Sequence, residues 1–478
     1  MTVSGHKTVV AIAGILLLTI IYVAVIISQP FLFFLPAGVL VALFLLQYPR
    51  LLFYLLLASI PWSAEINFSS GLATDFPDEA LMLFAAFTAV LLWLQRKGWQ
   101  SSNKTVHPLI FLLIVSVCWL LVSAAASTHP LYSIKYIAAK QWYLLAFVAA
   151  PLLFGDEESV VKNSGRVLFI SMLAVTLLAL YQHAKLGFTF ATINEALKPY
   201  FRNHVNYSAL LVLMVPIQLA FLQLAKNKLL RNSLMVSVLL VVAALYFSYS
   251  RGAWLALLVG ISGFWLIKKG WLFRAFIGVV LTVVLGVGWL VNQNRYLQFA
   301  PHHNSTIFHQ NFSEHLVATY KGKDVSTAER FYRWVAGARM AAERPLTGFG
   351  PTTFYSNYKS YTVPLFRTWV SGNKEKSTVH NYFLLLLIEQ GIPGLLLFLF
   401  LLGVSFWYAQ KIYRRTESIF WRATVSAVGA ILLMQCTVNF LSDLVETDKV
   451  GSVFYLCVAV LVMADKCTSE ARKQKLTV

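Results

Sequence analysis

The sequence is poor in charged residues, acidic ones above all, and in cysteine. Only 12% of its 478 residues are charged, while 58% are hydrophobic, and the mean hydropathy is +0.67. Soluble globular proteins carry about 25% charged residues, so this composition excludes a soluble fold. The four cysteines form no CxxC pair and no spacing typical of metal ligands. This argues against a disulfide framework and against a structural zinc site.

Long apolar segments recur along the whole chain, and many have about the 20 residues needed to cross a bilayer. They predict an all-α polytopic membrane protein with about 12–14 transmembrane helices. The run at about 9–27 is too long for a signal-peptide core, so we expect it to be retained as the first helix. The predicted organisation is transmembrane helices 1–11 in 1–291, a loop domain in 292–379, the last three transmembrane helices in 380–465 and a basic tail in 466–478.

The distribution of basic residues predicts how the chain crosses the membrane. The chain has 39 Lys+Arg against 20 Asp+Glu, a net charge of +19. In a soluble protein this excess would suggest nucleic acid, but here the basic residues concentrate in alternate short connections, as they do in cytoplasmic loops. We therefore predict that both termini are cytoplasmic and that no nucleic acid is bound.

The connection 292–379 is far longer than an ordinary loop, and the predicted topology places it outside the cytoplasm. Its many aromatic residues, Trp334 among them, favour an ordered domain over a flexible tether. Ser326 and Glu329 fit the capping pattern that begins a helix. A proline ends the pattern that follows, so we expect a helix at about 327–343.

Three short polar motifs lie on this same outer face in the predicted topology. A charge close to the hydrocarbon costs a few kcal/mol unless it is paired or functional, so each motif is a candidate site. On the predicted loop helix, Arg330 and Arg333 share one face because they are three residues apart. The residues of the three motifs are Arg202 and His204, then Ser250 and Arg251, then His380 and Asn381.

Each candidate also has a purely structural interpretation. Arg251 could be a snorkelling residue at the membrane interface, and His380 could cap its helix. Arg202 and His204 could be ordinary polar residues beside a span, and the two arginines of the loop helix could form a solvated stripe of charge. The convergence of the motifs on one face favours a functional site.

Four motifs resemble, in order along the chain, the O-antigen ligase and polymerase superfamily of bacterial inner membranes. The stretch RNHVN stands where the family has a polar entry to a helix. The S-R-G element, the R-x-x-x-W…P-L-x-G-x-G segment and the H-N-x9-G-x-x-G signature follow. They are matched here by 202–206, 250–252, 330–350 and 380–394, and the resemblance covers roughly residues 200–440.

The resemblance implies a GT-C-like glycosyltransferase that works without a metal or any other cofactor. Its donor would be a glycan on undecaprenyl pyrophosphate and its acceptor a sugar hydroxyl of lipid A–core, joined at the periplasmic face in lipopolysaccharide biosynthesis. His380 occupies the position of the family's general base. By position, Arg251, Arg330, Arg202 and Arg333 would hold the pyrophosphate. Asn381, His204, Ser250 and Trp334 would support them.

The chemistry of these residue types agrees with that activity. A histidine with its ordinary pKa of about 6.5 is mostly neutral at neutral pH and can take a proton from a sugar hydroxyl. Arginine matches phosphate oxygens with paired hydrogen bonds and can stabilise a pyrophosphate leaving group. Attack from the face opposite the pyrophosphate would invert the anomeric carbon.

Other functions fit the same sequence. An O-antigen polymerase and a protein O-oligosaccharyltransferase share the motifs of the superfamily. A lipid-oligosaccharide flippase or other transporter is a further alternative, although transporters usually show internal repeats and short loops. The sequence names neither the sugars nor the oligomeric state.

Overall fold

The protein, seen here as a computed structural model, is the all-α polytopic membrane protein that the sequence predicts. The structure describes residues 35–69, 72–95, 106–299, 325–367, 371 and 378–477. The longer helices in these segments are α1 Leu35–Gln47, α2 Pro49–Ser59, α3 Asp78–Gln95, α4 Pro108–Ala125, α5 Pro130–Leu144, α6 Glu157–Lys185, α7 His204–Leu224, α8 Lys228–Phe247, α9 Arg251–Lys269, α10 Leu272–Val291, α11 Val325–Glu343, α12 Tyr382–Arg415, α13 Ile419–Leu441 and α14 Asp448–Thr477.

Shorter helical segments connect several of these helices. They are Ile60–Trp62, Leu145–Ala149, Ala150–Leu153, Ile193–Ala196, Asn292–Phe299, Phe354–Asn357, Tyr358–Tyr361, Pro364–Phe366 and Leu444–Glu446. The described residues contain 11 helices long and apolar enough to cross a membrane, or up to 12 if a bent pair at α1 and α2 counts as one span. The predicted helix at about 9–27 lies outside the described residues, so the total of 12–14 stays a prediction.

Three helices form the centre of the bundle. In their most apolar stretches, 67% of the residues of α7, 72% of α13 and 78% of α14 are buried, against 6% for α10. α13 packs against α7, α9 and α12. The two ends of α13 are therefore surrounded by the ends of other helices, which makes them suitable places for a site.

One feature differs from what the sequence predicts. An antiparallel hairpin of Ala64–Ser69 and Leu72–Phe76 precedes α3, where no strand was expected. Helix α14 extends to Thr477, into the predicted basic tail. An ion pair between Arg415 and Asp465, 2.8 Å long, fastens α14 to the end of α12.

The loop helix α11 begins two residues earlier than the capping pattern requires. Because α11 starts at Val325, Ser326 lies in its first turn rather than at the N-cap. The carboxylate of Glu329 pairs with Arg333, at 3.3 Å, and accepts a hydrogen bond from Ser371. The helix predicted at about 327–343 corresponds to α11.

The loop that follows α11 docks against a break in α12. Gly391 has φ +71° in the middle of that helix, and a Cβ there would lie 2.0 Å from the carbonyl oxygen of Leu346. The backbone groups freed by the break bind the loop instead. The amide of Ile392 donates to the carbonyl of Pro345, and the amide of Gly350 donates to the carbonyl of Glu389. Only glycine fits this left-handed position in close contact with a second backbone.

A buried carboxylate in α12 completes the docking. The side chain of Glu389 accepts backbone hydrogen bonds from Thr352, at 2.8 Å, and from Phe354, at 3.1 Å. The P-L-x-G-x-G segment and the G-x-x-G half of the last motif therefore pack against each other. This contact fixes the loop beside the start of α12, where His380 lies.

Candidate functional site

The C-terminal end of α13 meets the start of α12. We call Phe440–Asp443 the hub segment. The amide of Tyr382 donates to the carbonyl of Ser442 at 2.9 Å. One residue further, a carboxylate oxygen of Asp443 lies 4.0 Å from Nδ1 of His380. The hub segment thereby joins an acidic side chain to the predicted general base.

The other half of the hub segment touches the remaining motifs. The ring of Phe440 lies 6.0 Å from the ring of Trp334 on α11. A Cβ on Gly252, the last residue of the S-R-G element, would lie 3.4 Å from Leu441. Three motifs that are distant in sequence therefore share one end of the bundle, which we call the site end.

Helix α11 holds the backbone that leads into His380. Nε1 of Trp334 donates to the carbonyl of Val379 at 3.0 Å, and Nη1 of Arg333 donates to the carbonyl of Thr378 at 3.3 Å. His380 itself has φ +53°, a left-handed conformation that is uncommon for residues other than glycine. Such conformations persist where surrounding contacts over-determine them, and they concentrate at functional sites.

Asn381 anchors the other side of the histidine. Its side chain accepts a hydrogen bond from the amide of Leu384, at 3.0 Å, and caps α12. The cap is buried. His380 is therefore fixed on both sides, by α11 before it and by the first turn of α12 after it.

The surroundings of His380 keep its imidazole neutral. Burial lowers the pKa of His380 to about 4, and the positive charges of Arg333 and Arg330 act in the same direction. Burial also raises the pKa of Asp443 to about 6, with a further increase from Glu446, while a hydrogen bond from Thr378 opposes the rise. At neutral pH the pair is a neutral imidazole facing a carboxylate.

The S-R-G element begins α9 beside the hub segment. Ser250 is buried, and Tyr249 before it has φ +55°. The hydroxyl of Tyr249 donates to the carbonyl of Phe188 at 2.5 Å. Arg251 is half-buried in the first turn of α9, one residue before the glycine that faces Leu441.

The first motif lies beside the S-R-G element rather than beside His380. Both the amide and Nδ1 of His204 approach the side-chain oxygen of Asn194, at 2.8 and 3.0 Å. The ring of Phe190 lies 5.9 Å from the ring of His204 and 5.7 Å from that of Tyr249. Arg202 is exposed in the turn before α7.

The structure thus groups the predicted residues into a centre and a flank. The centre contains His380, Asn381, Arg330, Arg333 and Trp334. Arg251 and Ser250 adjoin it through the hub segment, while Arg202 and His204 stand on the flank. Across the described segments, no group of three or more His, Cys, Asp or Glu side chains is arranged to hold a metal ion.

The sequence reasoning assigned no role to Asp443. This residue belongs to a set of acidic residues before the last span, and nothing in its neighbours distinguishes it from the others. What distinguishes Asp443 is its position directly after α13, because the end of that helix returns to the start of α12. An acid at the end of an apolar run, on the same predicted face as the candidate histidine, was the available signal.

Part of the chain is similar to known proteins. Residues 236–399 match the family model described as O-antigen ligase, a stretch that includes Arg251, Arg330 and His380. The chain is also similar to the exopolysaccharide production protein ExoQ of Rhizobium meliloti (strain 1021), with 27% identity over 131 residues. That match covers 27% of this chain and 30% of the length of the relative. Over residues 236–399 the chain is therefore similar to the O-antigen ligase superfamily.

Proposed function

We propose that the protein is an inverting, metal-independent glycosyltransferase of lipopolysaccharide biosynthesis. It would transfer an O-antigen glycan from undecaprenyl pyrophosphate to a sugar hydroxyl of lipid A–core. The site end would face the periplasm from the inner membrane, with both termini in the cytoplasm. The observation that carries the proposal is the approach of His380 to Asp443, at 4.0 Å, with Arg330 and Arg333 close enough to lower the pKa of the imidazole.

His380 would act as the base that activates the acceptor. Nδ1 faces Asp443, so a proton on Nδ1 would point toward the carboxylate and leave the lone pair of Nε2 for the acceptor hydroxyl. Asp443 would then stabilise the imidazolium that forms when the hydroxyl loses its proton. A positioned base of this kind contributes about 10²- to 10⁴-fold to a reaction rate.

The arginines would act on the leaving group. Arg330 and Arg333 both lie close enough to His380 to lower its pKa. A pyrophosphate bound to them would cancel their field, and the pKa of His380 would rise toward its ordinary value. The histidine would therefore become a stronger base only when the donor is present. As the glycosidic bond breaks, the same guanidinium groups would stabilise the negative charge that develops on the pyrophosphate.

Arg251 would complete this cluster from the start of α9. It lies one residue from the glycine that faces the hub segment, at the N-terminus of α9, where the helix dipole also favours an anion. Arg202 lies on the flank and is exposed. We assign it to the approach of the donor or acceptor rather than to the reaction centre.

The second candidate function is the polymerisation of a lipid-linked glycan. The similarity to a protein named for exopolysaccharide production favours it. In that reaction the acceptor hydroxyl belongs to a second lipid-linked glycan, and the roles of His380 and the arginines stay the same.

A deletion of the gene, followed by reconstitution, tests the proposal. Loss of the ligase would leave lipid-linked polymer in the membrane and remove the polymer from lipopolysaccharide. Loss of a polymerase would leave single repeat units attached. Purified protein should transfer glycan from the lipid donor to lipid A–core in the presence of EDTA. Movement of the lipid-linked glycan across a bilayer without transfer would instead indicate a flippase.

A further inference from the structure

A partly buried ion pair lies behind the hub segment. Nζ of Lys140 on α5 lies 3.2 and 3.3 Å from the two carboxylate oxygens of Glu446, and the hydroxyl of Tyr136 donates to the same carboxylate at 2.9 Å. Lys140 stands ten residues into α5, about 15 Å along the helix. A charge at such depth is costly and is usually functional.

The carboxylate of this pair is mechanically connected to Asp443. Glu446 ends the short helical turn Leu444–Glu446, and its amide donates to the carbonyl of Asp443 at 3.0 Å. Asn439 holds the turn from the other side, because its side chain accepts a hydrogen bond from the amide of Val445 at 2.9 Å. A displacement of Glu446 would therefore displace Asp443.

We propose that the Lys140–Glu446 pair is a positioning device that holds Asp443 at the correct distance from His380. Lys140 and Glu446 touch neither substrate in this proposal, which rests on the proposed function of His380 as the base. Tyr136 contributes by fixing the orientation of the carboxylate. Because α5 supplies two of the three groups, the position of Asp443 depends on the packing of α5 against the hub segment.

A purely structural role for the pair is the alternative, and the protein contains a matched example. Arg415 and Asp465 form a second ion pair between helices, at the opposite ends of α12 and α14 from the site. The exposed fractions of the side chains are 13% and 21% for Lys140 and Glu446, and 15% and 18% for Arg415 and Asp465. The two pairs are similarly exposed, but the first lies behind Asp443, whereas Arg415 of the second also donates to the hydroxyl of Thr468 at 3.1 Å.

Replacing both members of a pair avoids leaving one buried charge alone, so the fold should survive. The test variant is Lys140→Met with Glu446→Gln, in which the glutamine can still accept the hydrogen bond from Tyr136. The control is Arg415→Met with Asp465→Asn. Each is made in the wild-type protein and in Asp443→Asn, and kcat and the KM for the lipid donor are measured.

The proposal predicts that the effect of the test variant depends on Asp443. In the wild-type background the test variant should lower kcat about tenfold, with the KM for the donor within about twofold. In the Asp443→Asn background the same change should lower kcat less than about twofold, because the group it positions is already gone. The control should stay within about twofold in both backgrounds. If the test variant lowered kcat equally in both backgrounds, or in neither, the proposal would be overturned.

A second readout does not depend on glycan transfer. If the wild-type protein transfers no glycan, the proposed function fails, but the position of Asp443 can still be measured through His380. The rate at which diethyl pyrocarbonate modifies His380, followed by mass spectrometry, should rise in the test variant and stay at the wild-type value in the control. The single change Lys140→Arg, which keeps the charge, should also preserve the wild-type rate. The same rate of modification of His380 in the wild type, the test variant, the control and Lys140→Arg would contradict the positioning role.

Discussion

Replacing Asp443 by asparagine removes the negative charge that faces His380 while keeping the size of the side chain. The two groups lie 4.0 Å apart. At that distance the attraction between a carboxylate and an imidazolium is worth about 1 kcal/mol in water and about 4 kcal/mol at an effective dielectric constant near 20. Because the histidine side chain is 37% exposed, we expect the lower part of this range.

The expected loss is about 1–2 kcal/mol of stabilisation in the transition state, which corresponds to about a 5- to 30-fold decrease in kcat. The KM for the donor should change little, since Asp443 acts on the imidazolium that forms during the reaction. The assay is steady-state transfer of glycan by purified protein at saturating acceptor.

Asp448→Asn is the matched control for this prediction. Asp448 lies five residues further along, and the charges near it include Asp78 and Lys449. Its replacement should leave kcat within about twofold of the wild type. An Asp443→Asn protein with full kcat, or equal losses in the two variants, would refute the role given to Asp443.

Three further predictions follow from the same geometry. The kcat/KM for the donor should fall as the pH drops below about 6, because Asp443 with its raised pKa then becomes neutral. This decrease in kcat/KM should be absent in Asp443→Asn, and the same decrease in that variant would contradict the role of Asp443. Gly391→Ala should lower the free energy of unfolding by about 1–3 kcal/mol, since its Cβ would meet the carbonyl of Leu346. A Cβ at Gly278 would have no neighbouring atom within 4 Å, so Gly278→Ala should leave the free energy of unfolding unchanged or raise it slightly. Thermal unfolding of the two variants tests this, and equal destabilisation by Gly391→Ala and Gly278→Ala would contradict the docking of the loop on α12. Trp334→Phe keeps an aromatic ring but loses the bond to the backbone before His380, and should lower kcat about tenfold with little change in the donor KM; an unchanged kcat would show that this bond does not position the base.

Much of the fold follows from the sequence, because a bilayer imposes long apolar helices. The apolar stretch 272–291 of the sequence coincides with α10, and the predicted loop helix at about 327–343 corresponds to α11. Both depend on local information, namely hydropathy and a proline that stops a helix. The hairpin before α3 escaped prediction because its strands are short. Ala64–Ser69 alternates apolar and polar residues over only six positions, and Leu72–Phe76 does not alternate.

The site was only partly predictable, because its contacts join segments that are far apart in the chain. The motifs indicated His380 and the arginines, and the charge of the loops indicated that they share a face. The bond from Trp334 to the backbone before His380, and the approach of Asp443 to its ring, both depend on how the ends of α11 and α13 meet. No local sequence pattern predicts such contacts between helix ends.

The role of Gly391 in the last motif also depends on a contact between distant segments. The spacing of Gly391 from His380 is visible in the sequence, and a glycine two residues before a proline suggests a break in a helix. The partner of that break is the loop carbonyl of Leu346, which lies 45 positions earlier in the chain. The physical reason for the glycine therefore appears only when both segments are seen together.

The central claim is that His380 removes the proton from the acceptor hydroxyl. The most direct measurement is the rate of glycan transfer by purified His380→Ala protein, with and without added imidazole and in the presence of EDTA. The account predicts a loss of about 10²- to 10⁴-fold, an unchanged affinity for the lipid donor and partial recovery with imidazole. Transfer at the wild-type rate in the His380→Ala protein without imidazole would contradict it.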